Sequence, residues 1–253
     1  MSLQKSPFVS ATATLGDPKS LPGIIGIIGG QDVQIQEYPY QVAVNVSPTS
    51  DLCNGAIIAS DQIITSASCL LSVPIDQIQI RAGSSTADEG GSVHRAVNVF
   101  IHDKFTIDSD ENDVAIIEVA PPFEIDRTRQ PIELFGKDDK ADQGVYANAS
   151  GYGDFERRTP TDYKLRVVSI PILDQSCVFA NTPGLICAGA IGKGPCWNDF
   201  GSPLTIGGRL AGLLISISKP CGGPNFSGQY TEIAHVREWI DEYRNRGHPT
   251  FSI

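Results

Sequence analysis

The chain has 253 residues, a net charge of −10, 41% hydrophobic residues, 25 glycines and 17 prolines. This composition is typical of a globular, turn-rich protein and excludes a disordered or fibrous one. No apolar run approaches the roughly 18 residues of a membrane helix, and the acidic charge argues against nucleic acid or an anionic membrane as a partner.

The first residues give no sign of a folded element. Met1-Ser2-Leu3 lacks the basic and apolar regions of a signal peptide, so we expect an artificial start from which any signal has been removed. Residues 4–26 are rich in Ser, Thr, Pro and Gly without a clear period, which is typical of a leader or pro-segment. We therefore expect residues 1–26 to precede a folded domain that covers residues 27–253.

From Ile27 onward the pattern predicts many short strands separated by turns. Tyr40–Val46 alternates in the manner of a half-buried strand, and Gly55–Thr65 predicts a hairpin that turns at Ser60-Asp61. Evenly spaced strands followed by one helix indicate an all-β barrel class. The further predicted strands are Ile78–Gly83, Val114–Val119, Tyr146–Ser150 and Leu210–Ser216, and the one predicted helix is Ile233–Tyr243.

The six cysteines are even in number and widely spaced, which predicts disulfides formed in an oxidising compartment. The chain has no CxxC pair, so we expect neither a zinc ribbon nor a thioredoxin-type site. Six cysteines alone allow fifteen pairings, and the residues do not choose among them.

Three N-glycosylation sequons begin at Asn45, Asn148 and Asn225. Pro48 follows the first sequon directly and should weaken it, and the second falls on a predicted strand. Asn225 lies in a predicted loop and is therefore the best candidate for a modified asparagine.

Short motifs along the chain resemble those of trypsin-type serine proteases with the chymotrypsin fold, and the similarity covers residues 27 to about 245. The resemblance implies two six-stranded antiparallel Greek-key barrels with a C-terminal helix. The N-terminal barrel would span about 27–130, and the C-terminal barrel with the helix about 131–245. The matching segments are Ile27–Gly30, Tyr38–Val42, Cys53–Gly55, Thr65–Cys69, Asn112–Ile117, Ser150–Gly153, Asn198–Pro203 and Gly228–Thr231.

The same resemblance implies that the catalytic triad is degenerate. Phe200 stands where the family has its serine nucleophile, and Ser68 stands where it has its histidine base. Asp113 alone matches the family's aspartate. Phe200 has no nucleophilic atom and Ser68 cannot accept a proton near neutral pH, so we expect no triad catalysis and assign no catalytic residue. In having several triad positions replaced, the chain is similar to the scabies mite inactivated protease paralogues, relatives of the group 3 mite allergens.

No histidine lies where the family places its base. The four histidines, expected in surface or structural roles, are His94, His102, His235 and His248. A rearranged site that uses Ser202 as a nucleophile would lack a base within reach.

The resemblance also implies a remodelled substrate cleft. The oxyanion hole would use the main-chain N–H groups of Asn198 and Phe200. Gly194 stands where a trypsin has the aspartate at the base of its specificity pocket. We expect a blocked or reshaped cleft, with Phe200 able to fold across the pocket mouth and Trp197 beside it either exposed or packed. Among the pocket-wall residues, Ile217 and Ser218 replace Trp and Gly, whereas Ser216 and Gly228 match the family.

Activation and disulfide pairing follow from the resemblance as well. Cleavage before Ile27 would free an amine to pair with Asp199, but Gly26 stands where trypsin-like activation needs Arg or Lys. Either another protease cuts this bond or a zymogen-like state persists. The implied disulfides are Cys53–Cys69, Cys177–Cys187 and Cys196–Cys221.

Together these features predict a secreted, proteolytically inactive serine protease homologue that acts by protein binding. The resemblance to the mite paralogues implies host protein partners and interference with complement activation. No cofactor, metal, nucleic acid or membrane is expected. The alternatives are a decoy that sequesters protease inhibitors or substrates through the old cleft, a residual hydrolase without the triad, and an allergen-like bystander.

Overall fold

The computed structural model describes residues 27–46, 51–108, 110–153, 163–174 and 182–246. The expected leader, residues 1–26, lies outside them. Within the described residues the chain forms thirteen β-strands and one α-helix. The strands are β1 Gln31–Asp32, β2 Gln41–Val46, β3 Asp51–Ala59, β4 Gln62–Thr65, β5 Ile78–Ala82, β6 Ser92–Ile101, β7 Ala115–Ala120, β8 Tyr146–Gly151, β9 Arg166–Pro171, β10 Leu185–Ala188, β11 Pro203–Ile206, β12 Arg209–Ile217 and β13 Gly228–Glu232, and the helix is α1 Ile233–Arg246.

The first six long strands close into an antiparallel barrel in the order β2-β3-β4-β7-β6-β5. The predicted hairpin is confirmed, since β3 and β4 pair antiparallel and turn at Ser60-Asp61. The prediction that β2 is half-buried was wrong. Val42 and Val44 fill the barrel interior, while Ala43 on the other face packs with Tyr152 and Leu165 from the second half of the chain. Both faces of β2 are buried because the two halves meet across it.

The second sheet has seven strands in the order β1-β9-β8-β11-β12-β13-β10, one more than the expected six. The extra strand is β1, which pairs with β9 at Gln31 and Val167. The other six strands do not form a continuous closed ladder; an isolated bridge between Ile172 and Ala188 joins the end of β9 to β10. Helix α1 packs Val236 into the core of this sheet. The all-β class with a terminal helix is confirmed.

Two of the implied disulfides are present, Cys53–Cys69 and Cys196–Cys221. The first ties β3 to the turn after β4, and the second ties the loop before β11 to the loop after β12. Cys177 lies outside the described residues, so its pairing with Cys187 stays a prediction. No helix of the described part is long and apolar enough to cross a membrane.

Candidate functional site

Ser68 and Asp113 lie in contact at the edge of the first barrel. Ser68 is exposed in a single 3-10 turn, Ala67–Leu70, which directly follows β4. Asp113 is almost fully buried just before β7. The Ser68 main-chain N–H donates to Asp113 Oδ1 at 2.8 Å. The fold therefore brings together the two residues predicted to stand at triad positions, and Ser68 offers a hydroxyl where the resemblance implies an imidazole.

Burial dominates the electrostatics of Asp113. It raises the pKa of the carboxyl from 3.8 to about 6, and the nearby Asp110 carboxylate acts in the same direction. Hydrogen bonds from Ser68 and from the Ala67 N–H oppose this shift without cancelling it. The pKa stays high because no cation among the described residues compensates the burial of Asp113 as an imidazolium would.

The described histidines have other partners. The two ring nitrogens of His94 lie 2.7 Å from Ser92 Oγ and 2.6 Å from the Pro121 carbonyl oxygen. His102 stacks on Trp239 and accepts a hydrogen bond from a main-chain N–H. His235 lies on α1, and His248 lies outside the described residues. None of the three described histidines hydrogen-bonds Asp113, so none takes the place of the missing base.

The loop from Asn198 to Phe200 keeps the donors of an oxyanion hole. Asn198 adopts the left-handed conformation with φ 64°, which asparagine tolerates better than most residues. In the part of the chain that the structure describes, neither the Asn198 nor the Phe200 main-chain N–H is engaged in a hydrogen bond. These two donors remain available for an anionic oxygen, although no nucleophile lies between them.

The Phe200 side chain lies between the two halves of the molecule. It is half-buried and packs against the cores of both sheets. Its ring meets Trp197 edge to face, with centroids 6.5 Å apart. Trp197 itself is 40% exposed and carries the Lys219 ammonium 4.5 Å above its ring. The residue predicted to stand at the nucleophile position is therefore an apolar contact that joins the two cores.

Phe226, a residue that the sequence analysis did not single out, blocks the base of the former specificity pocket. Its ring lies against Gly194, where a side chain of residue 194 would project, and a Cβ added to Gly194 would overlap the ring. Phe226 is 4% exposed, so the ring is held inside the protein. The predicted pocket base at Gly194 therefore has neither a carboxylate nor the space for a basic side chain.

The walls of that pocket are formed by the end of β12 and the start of β13. Ser216 and Ile217 are half-buried, and Ile217 pairs with Gly228. The Ser218 hydroxyl lies 3.3 Å and 3.2 Å from the carbonyl oxygens of Asn225 and Ser227. Asn225 is exposed in this loop, where a glycan would be accessible; its modification stays a prediction.

Ile27 and Asp199, the expected activation pair, are both buried. The main chain of Ile28 exchanges two hydrogen bonds with Gly194, at 2.8 Å and 3.0 Å, which fixes the start of the domain against the pocket base. Asp199 accepts hydrogen bonds at 2.9 Å from the N–H groups of Gly153 and Cys196. A pairing between the Ile27 amine and Asp199 after cleavage stays a prediction.

Ser202 is fully buried, and its hydroxyl has no hydrogen-bond partner among the described residues. A nucleophile must be accessible to a substrate and close to a base. The structure therefore gives no support to a hydrolase that uses this serine.

Asn54, which replaces a glycine of the Cys-Gly-Gly motif, is the second residue that sequence reasoning passed over. Its side chain is fully buried on β3, and its amide donates to the Asn198 carbonyl at 2.9 Å. Its side-chain oxygen accepts from Gln41 at 3.1 Å and from the Tyr152 N–H at 3.0 Å. One side chain thus ties β2, β3, the end of β8 and the oxyanion loop together.

Replacing Asn54 with alanine is expected to lower the free energy of unfolding by about 3–5 kcal/mol. Two buried polar groups and one partly buried carbonyl would lose their partner, and each such loss costs about 1–3 kcal/mol. Urea unfolding followed by fluorescence measures the change. Asn148→Ala, at a half-buried position of β8, is the matched control and should change stability by less than about 0.5 kcal/mol. Equal losses in the two variants would show that Asn54 has no special role.

Comparison with known proteins decides the family. The trypsin family model matches residues 27–240. The chain belongs to the trypsin family. It is 31% identical over 229 residues to a vitellin-degrading protease of Bombyx mori, covering 87% of this chain and 86% of that protein. It is 33% identical over 234 residues to hypodermin-B of Hypoderma lineatum (88% and 89%), and 33% identical over 230 residues to trypsin delta of Drosophila melanogaster (87% and 89%).

Two solved structures of scabies mite inactivated protease paralogues share the fold. The S-D1 paralogue superposes with a TM-score of 0.78 at 24% identity, covering 87% of this chain and 97% of that one. The S-I1 paralogue gives 0.76 at 23% identity, covering 86% and 99%. At these identities the likeness establishes the trypsin fold alone.

Proposed function

We propose that this protein is a secreted, proteolytically inactive member of the trypsin family that acts by binding other proteins. The observation that carries the proposal is the site itself. Phe200 replaces the nucleophile and is packed into both cores, while Ser68 replaces the base beside a buried Asp113. A trypsin-type mechanism has no remaining group that can attack a carbonyl or take a proton. Secretion is supported by the family and by the two disulfides.

We propose that its partners are components of host complement and that binding to them interferes with complement activation. The support is the fold that this chain shares with two scabies mite proteins named as inactivated protease paralogues. Antibody-coated erythrocytes in mammalian serum provide the test, with lysis measured against protein concentration. We expect lysis to fall in a dose-dependent way. Trypsin whose active site has been blocked with a phosphonate is the matched control for fold, and it should have no effect.

A failure of the complement test would not remove the proposal of an inactive binding protein. Unchanged lysis at a large molar excess over the complement components would exclude complement as the target. Turnover of peptides by the purified protein would instead contradict inactivity. The two parts of the proposal therefore fail separately.

The decoy alternative is disfavoured by the pocket. Inhibitors that bind in the manner of a substrate insert a side chain into the specificity pocket, and Phe226 occupies its base. We expect no binding of a Kunitz-type inhibitor at micromolar concentration, measured by surface plasmon resonance with active trypsin as the positive control.

A further inference from the structure

A groove of about 470 Å³ lies away from the former cleft, where the chain that links the two barrels passes α1. None of the triad, oxyanion-hole or pocket positions lines it. We call it the arginine groove and define it by five charged residues: Glu133, Asp139, Arg209, Arg237 and Arg244. Three arginines at one place stand out in a chain of net charge −10 with only 19 Lys and Arg in total.

Two of the arginines are held by internal contacts. Arg209 binds both oxygens of Asp139, at 2.6 Å and 3.1 Å, so its charge is matched. Arg237 binds Asp241 through Nε at 2.9 Å and donates through Nη1 to the Phe135 carbonyl at 2.8 Å. In the structure as described, the second terminal nitrogen of Arg237 has no hydrogen-bond acceptor. These contacts fix the shape of the groove walls.

Arg244 differs from the other two. It lies two helical turns after Arg237, on the same face of α1. Its Nη2 donates to the Ile58 carbonyl at 2.9 Å, which holds the half-buried guanidinium in place. Among the described residues no carboxylate pairs with it. A fixed guanidinium with two nitrogens unengaged is preorganised for a carboxylate.

The groove also contains a negative charge. Glu133 lines it, is exposed, and pairs with no cation among the described residues. Its carboxylate acts on Arg209 from within the groove. A simple polyanion would be repelled by the Glu133 carboxylate and by the net negative charge of the whole chain. The groove therefore favours an occupant that carries a carboxylate for Arg244 and a cation for Glu133.

We propose that the arginine groove binds a segment of a partner protein in which acidic and basic side chains lie next to each other. Pockets for small molecules are mostly apolar with a few polar groups. In this groove, five of the ten lining residues are charged and four are apolar, namely Ile58, Pro131, Ile132 and Leu134. Its volume accommodates several side chains of an extended peptide. This inference does not depend on complement as the target, because it rests only on the charges of the groove.

The test uses a capped peptide, Gly-Glu-Lys-Glu-Gly, titrated into the whole protein at low ionic strength and followed by ¹H–¹⁵N NMR. We expect saturable shifts confined to the groove residues. Arg244→Gln, which keeps a donor for the Ile58 carbonyl, should weaken binding about fivefold or more. Glu133→Gln removes the site for the lysine, so the preference for this peptide over Gly-Glu-Gly-Glu-Gly should disappear. Arg95→Gln, at an exposed position on β6, is the matched control and should leave binding unchanged.

Three results would overturn the proposal. One is the absence of saturable shifts at millimolar peptide. Another is equal binding of the Gly-Gln-Lys-Gln-Gly control peptide. The third is binding of inorganic sulfate at the same residues and with the same affinity as the peptide, which would show a small-anion site instead. If Arg244→Gln does not fold, the peptide preference of Glu133→Gln decides the question, because it changes only an exposed side chain.

Discussion

The double variant Ser68→His/Phe200→Ser is expected to react with a small fluorophosphonate and still to leave lysine and arginine peptides uncut. The substitutions restore a base next to Asp113 and a nucleophile in the loop whose Asn198 and residue 200 N–H groups remain free. A small probe needs little beyond these groups. A peptide also needs a pocket for its basic side chain, and Phe226 fills the base of that pocket.

The blocked pocket therefore determines how much less peptide the double variant should cleave than trypsin does. A polar recognition group missing from one partner of a substrate complex lowers specificity by about 10⁴-fold, and we expect peptide cleavage by the double variant to stay at least that far below trypsin. Adding Gly194→Asp and Phe226→Ala together should raise cleavage of lysine and arginine peptides. Gly194→Asp alone is the control, and it should fail because the Phe226 ring occupies the space of the new side chain. Efficient cleavage by the double variant would show that the pocket is open.

The variant Asp113→Asn is expected to raise the free energy of unfolding by about 2 kcal/mol at pH 8. Burial raises the pKa of Asp113 from 3.8 to about 6, and a shift of that size is equivalent to about 3 kcal/mol at 1.36 kcal/mol per unit. Asparagine removes the buried charge and keeps an acceptor for the Ser68 N–H. The lost hydrogen bond from the Ala67 N–H offsets about 1 kcal/mol of the gain.

The pH dependence has a definite sign. A carboxyl whose pKa is raised on folding binds protons more tightly in the folded state, so its ionisation destabilises the protein. The penalty is absent below about pH 4, grows between pH 4 and pH 6, and is constant above. The increase in the free energy of unfolding caused by Asp113→Asn should therefore vanish at pH 4.

Urea unfolding of both proteins at pH 4 to 8 measures this increase. Asp126→Asn is the control of opposite sign, because contacts with Arg129 and Thr128 hold the pKa of Asp126 well below its usual value. A gain that did not vary with pH would contradict this account.

Hydrophobic alternation predicted most strands of the first barrel but only β8 and β12 of the second sheet. The predicted segments around Val42, Ile80 and Leu213 all became strands because their apolar residues fill the two cores. β6, β9, β10, β11 and β13 were not predicted as strands. In β6, exposed and buried residues do not alternate regularly, and β10 has only four residues, all of them buried. The second sheet gained β1 because two exposed residues pair with the edge of β9, which hydrophobicity does not signal.

Sequence reasoning singled out the residues whose chemistry follows from their type alone. It missed the residues whose role depends on contacts made only in the folded chain. Ser68 and Phe200 are visible in the sequence because the missing hydroxyl and imidazole have no substitute. Phe226 was missed because it lies 32 positions after Gly194, and only the folded chain brings its ring to that glycine. Asn54 was passed over because its three hydrogen-bond partners come from three other segments. The absence of an aspartate at residue 194 was the one signal that could have prompted a search for a residue filling the space.

Labelling of the wild-type protein by a fluorophosphonate probe, followed by a broad peptide-library assay, tests loss of proteolysis most directly. The protein is first cut before Ile27, so that the absence of activation cannot explain a negative result, and trypsin serves as the positive control. We predict no labelling and no peptide cleavage under conditions in which trypsin gives both. Labelling or turnover that a serine protease inhibitor abolishes would contradict the assignment of Phe200 and Ser68 as replacements that end catalysis.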